Sequence, residues 1–353
     1  MKKLIKLVSI LCVISLLAGC GLVSKVKKKE EAKKKSEVIV TVGDKDYTME
    51  RFNLYFYTAQ GDLLVNAGYQ QSADVPEDFW TQEVDGSTML EVAKENALTS
   101  LINDALAYQK AVEYGLELTK DEISNIDNQM TSLSQDEESL KQFDAIGVSV
   151  DELKEYYNEG FLTQHLLPEL ISKGEIKIDD AEVMDTFRDT YVKAKHILIS
   201  TVDANTGAAL SEEEVALAQT KAQDILNQLN AGADFDELMN ANSEDPGLAN
   251  APDGYVFTKG EMVQEFETAA YALAENQISG LVNTSYGIHI LKRVPFDMTG
   301  SQEISCIESI ESQLAMPEFE TLLKTWKSKT DIKTHDKVLD KVKAFDAKQF
   351  FGA

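Results

Sequence analysis

Ala194-Lys195-His196-Ile197-Leu198-Ile199 lies inside a run, 192–200, that reads as one strand: mostly apolar, rich in β-branched residues and too short for a helix. Upstream, Asp179-Asp180-Ala181-Glu182 is a capping box that starts a helix through about Tyr191. Downstream, Ser211-Glu212-Glu213-Glu214 caps a helix to about Leu229, and residues 235–239 make a short helix. A Gly/Pro/Asn-rich loop runs over 242–254, Tyr255-Val256-Phe257 is extended, 264–273 is helical, and 287–294 is a closing strand. The pattern predicts a compact α+β unit of roughly a hundred residues.

On either side the texture is helical. Val38-Ile39-Val40-Thr41-Val42, Gly43-Asp44 and Lys45-Asp46-Tyr47 predict a short extended pair around a turn. Thr48 then caps a helix carrying Phe52, Tyr55, Phe56 and Leu63, and Leu90, Ala97, Leu98, Leu101, Ile102 and Leu106 form one stripe of a helix over 88–114. Thr119-Lys120-Asp121-Glu122 and Ser149-Val150-Asp151-Glu152 are further capping boxes, while 68–85 lacks periodicity and reads as loop. Beyond Pro295 the chain is helical again, with Pro317 opening a helix through Trp326. That tail is too short for a core of its own, so it is expected to pack on the N-terminal helices and make the α+β unit an insertion. The aromatic positions of the N-terminal part serve a core or line a binding groove.

The N-terminus reads Met1-Lys2-Lys3-Leu4-Ile5-Lys6, then eleven apolar-rich residues to Leu17, then Ala18-Gly19-Cys20. A basic start, a short apolar stretch and small residues describe a secretory signal peptide, too short to remain as a membrane span. Leu17-Ala18-Gly19-Cys20 resembles the lipobox of bacterial lipoproteins, which implies diacylglycerol on the Cys20 thiol and cleavage before it; ordinary cleavage beside an incidental cysteine is the alternative. Residues 21–36 are polar and lysine-rich, a solvated tether.

All 353 residues carry 34 Lys+Arg against 60 Asp+Glu, a net charge of −26, which argues against a nucleic-acid binder. Removing residues 1–35 takes away ten basic and two acidic residues and leaves −34. Such a body is repelled by anionic headgroups while the tether is attracted, or is simply a soluble acidic surface. Three cysteines cannot staple a scaffold, and once Cys20 is acylated Cys306 has no partner. The 43% hydrophobic and 27% charged content is that of a folded protein.

Three motifs in the central unit carry a resemblance: Ala194-Lys195-His196-Ile197-Leu198-Ile199, then Phe257-Thr258-Lys259-Gly260-Glu261-Met262-Val263-Gln264-Glu265-Phe266-Glu267, and finally Tyr286-Gly287-Ile288-His289-Ile290-Leu291. Together these resemble parvulin-type peptidyl-prolyl cis/trans isomerases over about 192–295, and the surrounding layout is similar to PrsA-type foldase lipoproteins with a SurA-like helical chaperone region. The resemblance implies an α+β fold, a parvulin-like antiparallel sheet with surrounding helices, inserted into a mainly helical chaperone-like domain. The expected divisions are a signal peptide (1–19), lipidated Cys20 with its tether (20–36), a helical N-terminal region (37–191), the parvulin domain (192–296) and a C-terminal helical segment (297–353).

The implied activity is isomerisation of X–Pro bonds in secreted proteins by a lipid-anchored protein on the extracytoplasmic face of the membrane; the alternative is a non-catalytic holdase on the same fold. Rotation about such a bond crosses about 18–20 kcal/mol and needs no proton transfer, so a dry apolar slot and suitable electrostatics suffice. By resemblance His196, His289, Asp245 and Thr284 form the catalytic network, while Met262, Phe266 and Phe257 grip the proline. Read alone, two histidines on buried strands also fit a satisfied core, Asp245 before Pro246 fits a turn, and Met262 and Phe266 fit plain core. Where the family has a Gly-Asp-Leu-Gly-Trp-Phe-like stretch, this chain has Pro252-Asp253-Gly254-Tyr255-Val256-Phe257, placing Gly254 where a slot leucine is expected; Tyr286 is the candidate to fill that gap. The implied partners are unfolded clients with X–Pro bonds and, through Cys20, the membrane. No nucleic acid, cofactor or metal is expected: no cysteine lies near either histidine, and the calcium-like spacing of Asp203, Asn205 and Glu214 has Ala208 where glycine belongs. The oligomeric state is left open, a dimer being one option.

Overall fold

A computed structural model describes residues 37–204 and 206–351. The expected signal peptide, Cys20 and basic tether lie outside the described residues, as does Asn205 of the calcium-like spacing. In chain order the elements are β1 (Val38–Val42), β2 (Lys45–Thr48), α1 (Met49–Asn66), β3 (Glu83–Val84), β4 (Ser87–Thr88), α2 (Met89–Glu113), α3 (Lys120–Leu133), α4 (Glu137–Ala145), α5 (Val150–Gln164), α6 (Leu166–Ser172) and α7 (Asp180–Thr190). There follow β5 (Val192–Ser200), α8 (Glu212–Asn230), α9 (Phe235–Asn242), β6 (Tyr255–Phe257), α10 (Gln264–Ala272), β7 (Val282–Asn283), β8 (Gly287–Arg293), α11 (Ser301–Lys329), β9 (Ile332–Thr334), α12 (Asp336–Leu339) and α13 (Lys348–Phe351). The chain packs as two compact units, one built from 37–176 and 317–351, the other Lys177–Met316.

In the first unit β1, β-branched at every position, is the middle strand of a sheet ordered β2-β1-β9. Its outer partner comes from the far end of the chain, Val40 opposite Thr334 and Val42 opposite Ile332. From the same end Phe345 packs 5.5 Å from Phe56 and 6.3 Å from Tyr57, centroid to centroid. Thr88 and Glu91 form a reciprocal capping box at α2, and Thr119 and Glu122 another at α3. At Ser149 the expected box is only half made. Its hydroxyl accepts from the Glu152 N–H, but the Ser149 N–H donates to Glu50, while Glu152 turns to Arg51. Arg51 is 3% exposed and also pairs with Glu159, so leaving its guanidinium short of a carboxylate costs more than an unreciprocated cap. The stretch 68–85 is not plain loop: it holds two single turns of 3₁₀ helix, Ser72–Asp74 and Phe79–Thr81, and strand β3.

Pro317 does not open a helix; it lies inside the continuous α11. A proline there forgoes one backbone hydrogen bond and crowds the carbonyl four residues back, at a cost of about 3 kcal/mol. Ile310 and Ala315 before it and Phe319 and Leu323 after it are buried, so apolar packing flanks the proline on both sides.

The second unit is built on an antiparallel sheet ordered β6-β5-β8-β7. Alternation divides its side chains cleanly. Ile197, Ile199, Ile288 and Ile290 face one way, onto Ala218, Ala222, Ile225 and Leu229 of α8 and Phe235 and Met239 of α9. Val192, Ala194 and Leu291 face the other way, onto Phe257 of β6 and Phe266 and Ala270 of α10. Helix α7, read in sequence with the N-terminal region, packs here: Val183 and Phe187 are buried with Ile310 of α11. Lys193 and Glu303, both almost fully buried, form an ion pair at 2.7 Å. No described helix is long and apolar enough to cross a membrane.

Candidate active site

His196 sits in mid-β5 and His289 in β8, on the sheet face that carries Leu291 and packs on α10. In the ladder His196 is opposite Leu291 and His289 opposite Leu198. The rings stack at 5.2 Å with 20° between planes, and their Nδ1 atoms are 3.0 Å apart. Both are buried, 7% and 4% exposed.

Each far nitrogen has its own partner. His196 Nε2 lies 3.1 Å from Asp245 Oδ2, and His289 Nε2 lies 2.9 Å from the Thr284 hydroxyl. Asp245 is delivered by the loop after α9, which is pinned to a free stretch of β5: Leu198 N–H donates to the Ser243 hydroxyl, Glu244 N–H to Leu198 C=O, and Ser200 N–H to the Glu244 carboxylate. Thr284 is held in the β7–β8 turn, where its hydroxyl accepts from Tyr286 N–H.

The hydrogens can be placed by donor and acceptor capacity. Asp245 accepts from His196 Nε2–H. With both rings neutral, His196 Nδ1 then accepts from His289 Nδ1–H, and His289 Nε2 accepts from Thr284 O–H. Every ring nitrogen is satisfied and the chain has one direction. Burial, followed by the neighbouring His196, lowers the His289 imidazole to about 4, with Asp245 opposing. The hydrogen bond from His196 is the main cause holding the Asp245 carboxyl far below the usual range; Tyr255 O–H and Gly247 N–H add to it and outweigh burial.

Phe266 of α10 stands edge-on to both imidazoles, at 5.2 Å from His196 and 5.4 Å from His289, and lies 5.7 Å from Phe257. Met262 is half-buried against the same cluster. The structure thus brings together His196, His289, Asp245, Thr284, Phe266, Phe257 and Met262. Tyr286 is 56% exposed and makes none of the ring contacts that bind this group. Asp203 and Glu214 of the calcium-like spacing are engaged locally, Asp203 accepting from Thr206 and Glu214 closing the Ser211 capping box.

Gly254 does not open a gap in a slot wall. Its φ is +100°, and an added Cβ would lie 2.9 Å from Ala194 O. The position faces the backbone of β5, and the side chain of the next residue takes the place beside the histidines. Tyr255, which motif matching passes over, donates its hydroxyl to Asp245 Oδ2 at 2.6 Å, and its ring centroid is 5.7 Å from that of His196. The available signal was the pair itself: glycine where an apolar residue is expected, followed at once by tyrosine.

The sequence profile of the PPIC-type PPIASE domain matches residues 177–294. The foldase protein PrsA of Caldanaerobacter subterraneus subsp. tengcongensis is 28% identical over 290 residues, 76% of this chain and 84% of its own length. That of Halalkalibacterium halodurans is 31% identical over 221 residues, 59% of this chain and 61% of its own length. Among solved structures, the crystal structure of PrsA from Bacillus subtilis overlaps 79% of this chain and all of that one, at 20% identity and a TM-score of 0.35.

Proposed function

We propose, from the match of residues 177–294 to the PPIC-type PPIASE domain, that this protein is a lipid-anchored, extracytoplasmic foldase that isomerises X–Pro bonds in secreted chains. The observation that carries the reading is the continuous line Thr284–His289–His196–Asp245 with Phe266 standing over both rings.

The planar amide owes its barrier to resonance, which places partial charge on oxygen and nitrogen. Rotation to the twisted state gives up that charge separation, so a dry apolar surround disfavours the planar amide more than the twisted one. Phe266, Met262 and Phe257 provide such a surround for the proline ring. The histidines need not exchange protons with substrate. Locked by Asp245 at one end and Thr284 at the other, they present a floor of fixed polarity that does not reorganise as the bond turns.

Anchoring rests on the lipobox-like Leu17-Ala18-Gly19-Cys20 and the basic tether. Two acyl chains hold a protein durably at a bilayer. The helical first unit would receive the unfolded client.

NMR exchange cross-peaks of a short X–Pro peptide test the isomerase. Acceleration by the wild type that disappears in Phe266→Ala is expected; no acceleration by folded protein across several residues before proline would leave a holdase on an isomerase fold. Mass spectrometry of the mature N-terminus tests the anchor, with an acylated Cys20 expected and an unmodified one overturning it.

A further inference from the structure

Asp245 Oδ2 has two donors, His196 Nε2 at 3.1 Å from β5 and the Tyr255 hydroxyl at 2.6 Å from β6, while Gly247 N–H donates to Oδ1 at 3.1 Å from its own loop. These three, with the His289 ring on β8 behind His196, are the titratable and polar groups set around the carboxylate. Tyr255 is itself held from both sides. The Gln302 amide accepts from Val256 N–H at 3.1 Å and donates to Gly254 C=O at 3.2 Å, supplying one residue of edge pairing to a three-residue strand. Gly247 keeps the space clear, since a Cβ there would overlap the Tyr255 hydroxyl oxygen.

We propose that Tyr255 is a positioning residue of the isomerase: its hydroxyl fixes the Asp245 carboxylate in the orientation that accepts from His196, and its ring, next to Gly254, supplies the wall a leucine would have formed. The inference rests on the paired-histidine site described under the proposed function. A fixed, ionised Asp245 keeps the His196 proton on Nε2 and so sets both ring tautomers. Without the phenol the carboxylate can swing, and the line of hydrogen bonds loses its anchor while its rings stay packed.

The test uses full-length wild type, Tyr255→Phe, Gly247→Ala and the double variant, with imidazole ¹⁵N shifts and peptide-exchange kinetics read on each. In Tyr255→Phe, His196 and His289 ring nitrogens are expected to shift toward mixed tautomers, with kcat down about tenfold and KM little changed, as befits loss of one hydrogen bond to a charged group. Gly247→Ala should give the same signature by displacing the hydroxyl, and the double variant should be no worse than Tyr255→Phe, because the atom that clashes is gone. A merely structural role predicts lower stability with unchanged ring nitrogens, and additive losses in the double variant; either result overturns the proposal. A wild type that accelerates no exchange overturns the catalytic role, and ring-nitrogen shifts in Tyr255→Phe would separate that failure from a misplaced Tyr255.

Discussion

His196 and His289 meet on a diagonal of the β5–β8 ladder: each is paired in register with a leucine, Leu291 and Leu198, yet their Nδ1 atoms are 3.0 Å apart. The diagonal leaves one far nitrogen to the α9–β6 loop and the other to the β7–β8 turn, so Asp245 and Thr284 can end the line without competing. A slip of one residue in either strand would turn one ring to the α8 face and break it.

Phe266 is 4% exposed and touches both rings edge-on. Phe266→Ala is expected to abolish isomerase activity and to cost about 3–5 kcal/mol of stability. Phe266→Leu, which keeps most of the volume, should recover stability but not the edge contacts, leaving activity well below wild type. Urea midpoints and exchange kinetics on the same samples check both halves; full activity in Phe266→Leu would remove the aromatic edge from the mechanism.

Acid should weaken the second unit through His289. Its imidazole is near 4 in the folded state against an ordinary 6.5, so between those values the unfolded chain binds more protons. Stability therefore rises with pH across that window and is lost as pH falls through it, by about 3 kcal/mol in full. In the first unit Asp104 has the opposite sign. Burial pushes its carboxyl up to about 6, although Tyr55 O–H and Arg51 pull it down, so the folded state takes the extra proton and gains stability as pH falls from about 6. In urea unfolding between pH 7 and 4, His289→Gln should flatten the loss seen in wild type and Asp104→Asn should steepen it. The reverse order would show that neither group sets the slope.

The strand motifs were legible because their signals are local. The run 192–200, the capping boxes at Thr119 and Ser211, and the β-branched stretch 38–42 each carry their own periodicity or hydrogen-bond logic, and β5, α3, α8 and β1 form there. What stayed hidden depended on partners distant in sequence. The half-made box at Ser149 reflects Arg51, nearly a hundred residues away, drawing Glu152 aside. Pro317 inside α11 reflects packing that overrides an intrinsic breaking preference. In the site, Gly254 read as a missing wall because its sequence position says nothing of its +100° φ or of Ala194 beside it, and Tyr255 had no motif to draw the eye.

Lys193 and Glu303 form an ion pair with both side chains almost fully dry, and Glu303 also accepts from Asp297 N–H. Lys193→Met strands a buried carboxylate and is expected to cost about 3–5 kcal/mol. Lys193→Met with Glu303→Gln removes the charge while keeping an acceptor for Asp297, and should regain most of that loss. Urea midpoints decide it; a single variant as stable as wild type would mean water reaches Glu303.

Restoring the family leucine at position 254 should fail. The φ of +100° is one that a residue with a Cβ rarely adopts, and left-handed backbone alone costs a non-glycine residue about 1–2 kcal/mol. The added Cβ would also press on Ala194 O, in the register where Ala194 faces Tyr255 on one side and Arg293 on the other, so relief must come by spreading β6 from β5. That movement carries Tyr255 away from Asp245. Gly254→Leu is therefore expected to lower the melting temperature and isomerase activity together, with the His196 ring nitrogens shifting as they should in Tyr255→Phe. Gly254→Leu with Tyr255→Gly, which recreates the Leu-Gly order, should remain less active than wild type, since it keeps the backbone conflict and discards the phenol. If that double variant melts like wild type and isomerises faster, the strand can adopt the family path, and the Gly254-Tyr255 pair is a handicap rather than a substitute wall.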